Sequence, residues 1–240
     1  MKTIYYSSCV PPELYNNDFM LYQEPDSLYK DILKNKNKQN DFNNYMDCPA
    51  FLKSTNNTFI VRNPWTTTIT IDYATGKFLN QYGQEDAISE HFTPKPISRV
   101  QPLFNVYHNF LFFSEEDMEI STFPAYMHTS EFQTKCTYIP GTFNIAKWLR
   151  PVEGAFELQS NAGNLEIKTG DPLYYIKFNT SEPVKFVRFD LTAELWNMAQ
   201  GCVFHKKYQP NNSLSYLYKL FFHSGRQKLV LKKIKENIIK

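Results

Sequence analysis

The 240-residue chain predicts a mainly β fold, a jelly-roll or cupin-like β-sandwich followed by a C-terminal helical subdomain. Three observations lead there. Aromatic residues make up 16% of the chain, with 20 Phe and 16 Tyr against 8 Gly, a composition that suits pleated, half-buried surfaces better than helices. Apolar and polar residues alternate at a period of two through the middle of the chain, with turn signals about every 8–12 residues, the spacing of sandwiches and barrels. In the last fifty or so residues the apolar period becomes helical. These shifts divide the chain into an N-terminal arm with a short helix (1–45), a β-sandwich (46–190) and C-terminal helices (191–240).

Each element has its own signature. Ile4–Ser7 reads as a strand before the Pro11-Pro12 turn. A short helix follows, with Asp26 or Ser27 as N-cap and Leu28, Ile32 and Leu33 on one face. It runs into Lys34–Asn40, a lysine and asparagine tract that reads as a solvated loop. From about Met46 the pattern is strand-like. Phe59-Ile60-Val61 ends at Asn63-Pro64. Ile69, Ile71 and Tyr73 alternate with Thr68, Thr70 and Asp72, and Ala74-Thr75-Gly76 turns into Lys77-Phe78-Leu79, so 66–80 is a hairpin. Leu103–Phe113 is apolar almost throughout, as in strands buried on both faces. Further strands carry Phe143 with Ile145, Phe156 with Leu158, and Leu165 with Ile167. Lys168–Asp171 is a tight turn into Leu173–Phe178. In Val184–Phe189 the apolar side chains fall on both faces, which predicts a bulge or burial on both sides.

The tail reads as three helices. Leu191, Leu195, Met198 and Cys202 mark the first, with Gly201 near its end; Leu214, Leu217 and Phe221 mark the second, opened by Pro210 and Ser213 and stopped by Gly225. Val230, Leu231, Ile234 and Ile238 mark the third. Residues 226–240 hold six basic residues and one acidic, so this helix could face an anionic membrane or a nucleic acid. Elsewhere charge is balanced, 26 Lys and Arg against 24 Asp and Glu, which excludes a globally cationic nucleic-acid binder. No run of roughly 18 apolar residues occurs, so no membrane span is predicted. Four widely spaced cysteines (9, 48, 136 and 202) and a polar N-terminus predict reduced thiols, no signal peptide and a cytoplasmic setting. The sequons at Asn56 and Asn211 carry little weight there.

The candidate chemistry is sparse. Jelly-roll folds often hold a metal between two histidines and a carboxylate. His108, His128 and Glu131 could form such a set for iron or another divalent cation; a core histidine satisfied by a carbonyl is the commoner outcome, and the expected cofactor is none. Glu115-Glu116-Asp117-Glu119 reads as a solvated acidic loop. No GxGxxG, Walker A or G-x-S-x-G pattern is present. The block Gly141–Val152 places Lys147, Trp148 and Arg150 together, and with Asp171 they could line a ligand-binding pocket. The alternative has Trp148 plugging the sandwich and Arg150 pairing with Asp171.

Five blocks carry a resemblance: C-P-A-F (48–51), F-I-V-R-N-P (59–64), L-F-F-S-E-E-D-M-E (111–119), F-N-I-A-K-W-L-R-P (143–151) and I-K-T-G-D-P-L-Y-Y-I-K-F (167–178). In this order they resemble a group of proteins of tailed phages, particularly marine, cyanophage-like viruses. More distantly they are similar to a bacterial domain-of-unknown-function family with a C-P-A-F start and a G-[DE]-P turn. The likeness spans about 46–240. It implies a phage auxiliary protein made in the bacterial host cytoplasm, with virion association open, and it transfers no catalytic residue. The expected function is non-catalytic binding of another macromolecule, host or virion component. The alternatives are a cupin-like metal-dependent enzyme of the oxygenase type and a nucleotide-binding sandwich protein. Homo-oligomers through sheet edges or C-terminal helices are a further expectation, as is an unidentified protein partner, with nucleic acid expected only at the basic C-terminal helix.

Overall fold

A computed structural model describes residues 1–8, 24–36, 47–63, 66–72, 77–79, 92–95, 103–106, 110–159, 164–208 and 211–239. Its fold is mainly β, with four sheets and six helices among the described residues. In the first sheet β1 (Lys2–Ser8) lies between β15 (Val184–Arg188), to which it is parallel, and the antiparallel β8 (Phe110–Phe113). The second is five-stranded and antiparallel. It runs β11 (Gly141–Asn144), β9 (Glu119–Pro124), β14 (Pro172–Phe178), β3 (Thr58–Arg62) and β2 (Asp26–Ser27). A third joins β10 (Cys136–Ile139), β12 (Gly154–Leu158), β7 (Leu103–Val106) and β6 (Phe92–Lys95). The fourth joins β13 (Asn164–Ile167), β4 (Thr67–Asp72) and β5 (Lys77–Leu79). The β4–β5 pairing is the expected hairpin; its turn, 73–76, lies outside the described residues.

Alternation along the first sheet explains the long apolar runs. On β1, Ile4 and Tyr6 enter one core and Tyr5 the other; on β8, Phe110 and Phe112 enter the first, Leu111 and Phe113 the second. β15 behaves likewise, with Val184 and Phe186 packed on the first core and Val187 on the second. Its register with β1 is continuous from Lys2↔Val184 to Tyr6↔Arg188. Burial on both faces, not a bulge, therefore accounts for its pattern. Residues 2–8 are thus the central strand of this sheet, paired on both edges, as a strand with both faces covered must be to satisfy its amides.

The first core is aromatic. Phe112 meets Phe178 edge-on at 5.2 Å, Phe59 meets Phe186 at 4.8 Å, and Tyr138 stacks on Tyr174 at 5.1 Å. Such pairs add about 0.5–1.5 kcal/mol each beyond their burial. Gly154 is where the packing leaves no room for a side chain: a Cβ there would lie 2.7 Å from the Tyr174 ring.

The second core lies between the first sheet and the C-terminal helices α4 (Ala193–Tyr208), α5 (Leu214–His223) and α6 (Arg226–Glu236). Ser213 caps α5 by accepting the Tyr216 N–H at 3.2 Å. Gly225, at φ 74°, makes the left-handed turn into α6 that a side chain would strain. α4 continues through Gly201 to Tyr208, further than the sequence implied. The C-terminal end of α6 is sewn back by Asp190 N–H to Asn237 O (2.9 Å) and Ile239 N–H to Arg188 O (3.1 Å).

Three shorter helices are also found among the described residues. α1 (Leu28–Lys36) covers a small third core with Leu28 and Ile32, and Leu33 stands out to solvent. α2 (Pro49–Thr55) corrects the strand expected after Met46. Pro49 opens it at a position where a missing N–H costs nothing. α3 (Glu131–Lys135) is capped by Ser130, whose hydroxyl accepts the Gln133 N–H.

Candidate functional site

Four side chains from four elements converge beside α1. The turn after β9, closed by His128 N–H to Ala125 O at 2.9 Å, hangs His128 over β14. There His128 Nδ1 lies 2.5 Å from Tyr175 Oη, and its Nε2 lies 2.9 Å from Asp31 Oδ2 on α1. Asp31 Oδ1 accepts Arg62 Nη2 of β3 at 2.7 Å. Arg62 also donates Nε and Nη2 to Asp26 Oδ2 (3.1 and 3.0 Å) and Nη1 to Gly170 O (3.0 Å).

The protons can be placed. Burial pushes the Tyr175 phenol well above its ordinary range, against the smaller opposing effect of the Met127 N–H, so it keeps its proton. Its oxygen accepts that N–H at 3.2 Å and lies within hydrogen-bond reach of His128 Nδ1. Nε2–H donates to the Asp31 carboxylate. The Asp–His–hydroxyl order is that of a nucleophile triad. Here the hydroxyl belongs to a tyrosine that is fully buried, out of reach of a molecule in solvent. Such an arrangement clamps α1, β3, β14 and the β9–α3 turn together rather than holding a reacting atom.

The residues singled out from the sequence are separated by this geometry. Glu131 turns away from His128 and pairs with Lys135 at 2.5 Å. Lys135 holds its carboxyl below the usual carboxylate range. His108 lies outside the described residues. Among the described residues no group of three His, Cys, Asp or Glu is close enough to hold a metal ion.

Trp148 is 5% exposed in the second core, its ring 6.4 Å from Tyr218 and 6.2 Å from Phe221. Arg150 lies 5.5 Å above the Phe143 ring and meets Glu153 at 3.4 Å. The expected Arg150–Asp171 pair is corrected, since a carboxylate three residues away is nearer to hand. Asp171 instead accepts the Lys168 N–H at 2.9 Å, inside its own turn. Lys147 reaches Asp117 at 2.6 Å, and with Asn144 it draws that carboxyl below its ordinary value. These four side chains are engaged with separate partners.

The acidic loop after β8 has a structural use that the sequence concealed. Glu116 bonds Lys2 of β1, Asp117 bonds Lys147, and Glu115 bonds Lys235 of α6 at 2.8 Å. One loop thus fastens the N-terminal strand, the Trp148 segment and the last helix. Asp31, Arg62 and Tyr175 also escaped sequence reasoning. The available signal was an arginine and a tyrosine inside otherwise apolar strands, residue types that need partners once buried.

What remains open is the helical end. Six of the twelve large apolar side chains that stand exposed among the described residues fall within 208–239: Tyr208, Leu214, Tyr216, Phe222, Leu229 and Ile239. An open concavity of about 460 Å³ runs along α6, lined by Lys228, Leu231, Lys232, Lys235 and Glu236. No helix among the described residues is long and apolar enough to cross a membrane. Comparison with known protein families, with curated proteins and with solved structures finds no match to this chain.

Proposed function

We propose that this chain is a non-catalytic phage auxiliary protein, made in the cytoplasm of a bacterial host, whose jelly-roll-like β core carries a helical end that binds another macromolecule. The observation that carries the reading is the exposure of Tyr216, Phe222 and Leu229, each between 45% and 53%, on helices whose opposite faces are buried. Large apolar side chains concentrated on one part of a surface mark contact sites. The phage assignment rests on the five sequence blocks alone. The engaged state of His128, Tyr175 and Asp31 supports a structural use for the polar cluster.

The test is cross-linking of the tagged chain in the bacterial host, with the cross-linked residues mapped by mass spectrometry. Cross-links to a partner should concentrate on residues 208–239 and disappear in the Phe222→Ser, Leu229→Ser double variant. Cross-links spread evenly over the surface, or unchanged in that variant, overturn the reading. So does one equivalent of iron, manganese or zinc in elemental analysis of the native protein, which would instead point to an enzyme.

A further inference from the structure

We infer that the outer face of α6 binds the phosphate backbone of single-stranded nucleic acid. This rests on the reading of the helical end as the binding surface and names its occupant. Val230 and Ile234 of α6 are 1% and 0% exposed in the second core. A helix lying on a membrane inserts its apolar face, and here that face already packs against the protein. The opposite face is left with charge.

Lys228, Lys232 and Lys235 stand at i, i+4 and i+7, one stripe along the helix, with steps of about 6 and about 4.5 Å along its axis. They line the open concavity with Leu231, and Glu236 is its one carboxylate. Lys228 is exposed and has no ion-pair partner among the described residues. Lys232 touches Glu236 only at 3.9 Å, with both side chains well exposed, a contact too weak to hold it. Lys235 is paired with Glu115 at 2.8 Å and Lys233 with Glu194 at 3.0 Å, which fixes the helix and leaves Lys228 and Lys232 as the part of the stripe without a close carboxylate.

Arg226 and Lys219 add exposed cations at the start of α6 and on α5. The chain as a whole is near neutral, so this positive face is a local feature that would release counterions from a polyanion. α5 packs against α6 and exposes Tyr216 and Phe222, rings of the kind on which unpaired bases stack. Together, a cation stripe on α6 and exposed rings on the helix that packs against it match a single strand better than an acidic protein surface, which offers no bases to stack.

The experiment is fluorescence anisotropy of a labelled oligothymidylate of about 20 nucleotides titrated with the full chain at several salt concentrations. Two lysine–phosphate contacts, from Lys228 and Lys232, predict that log K falls with log salt at a slope of roughly −1.4. The Lys228→Glu, Lys232→Glu double variant should weaken binding at least about tenfold while its melting temperature stays that of the parent. Phe222→Ser should weaken it less and leave the salt slope unchanged. Absent binding, or binding undiminished by the charge reversal, overturns the inference. So does flotation with phosphatidylserine vesicles in place of oligonucleotide binding. If the oligonucleotide fails while cross-links still map to 208–239 and vanish with Phe222→Ser, Leu229→Ser, this inference falls and the broader reading stands.

Discussion

The polar cluster under α1 and the lysine face of α6 are built from similar residue types to opposite ends. At the first, Asp31, Arg62, His128 and Tyr175 come from four elements distant in sequence and satisfy one another. At the second, three lysines come from one helix, and two of them have either no ion pair among the described residues or only a long exposed one. The first arrangement loses stability if a member is removed, because a partly buried polar group then loses a hydrogen bond. The second loses almost nothing in stability and everything in surface charge. Chemistry that is fully engaged inside the protein is structural chemistry; charge left facing water is available to something else.

The sharpest way to break this contrast is Asp31→Ala. It removes the acceptor of His128 Nε2 and one of the acceptors of Arg62, and should cost about 1–3 kcal/mol in denaturant unfolding. A loss below about 0.5 kcal/mol would mean that the cluster is not a clamp. Tyr175→Phe keeps the ring but strands His128 Nδ1 and the Met127 N–H, for an expected loss of about 1–2 kcal/mol. Combining the two should be non-additive, since both act through His128, with a coupling of at least about 0.5 kcal/mol in the double-mutant cycle.

Buried thiols offer a milder probe of the same distinction between engaged interior and free surface. Burial pushes Cys136 up to about 12 and Cys202 up to about 11, from an ordinary value of 9.0. Folding therefore favours their neutral forms, and that contribution is whole below pH 9. It drains away as pH rises from about 9 toward 11 and then 12, because the unfolded chain ionises first. Stability should fall across that range. At pH 8 iodoacetamide should modify the exposed Cys48 while sparing Cys136 and Cys202 until the protein is denatured. Fast labelling of Cys202 in the native protein would show that the helices do not cover the second core.

The smallest expected effect lies on the open side. Lys228→Glu with Lys232→Glu should change unfolding free energy by no more than about 0.5 kcal/mol. A larger loss would make the stripe part of the fold and erase the contrast.

Sequence alone determined the mainly β class, the C-terminal helices and most strand positions, because these follow from local periodicity and turn residues. The hairpin at 66–80, the Lys168–Asp171 turn and the Ser213 cap are all written within a few residues of themselves. The basic character of the last helix was legible too, since six of residues 226–240 are basic, though the stripe of Lys228, Lys232 and Lys235 along the concavity was not singled out. Sequence alone could not give the parallel pairing of β1 with β15, whose partners lie some 180 residues apart in the chain, nor show that Val184–Phe189 is buried on both faces without a bulge. The helix at Pro49–Thr55 was misread because the strand pattern that follows it was extended backward across a proline. The partners of His128, Arg150 and Trp148 were decided by tertiary structure alone. A side chain's chemistry is fixed by its type, but whether that chemistry is engaged or free depends on which distant segment packs against it, and periodicity carries no record of that.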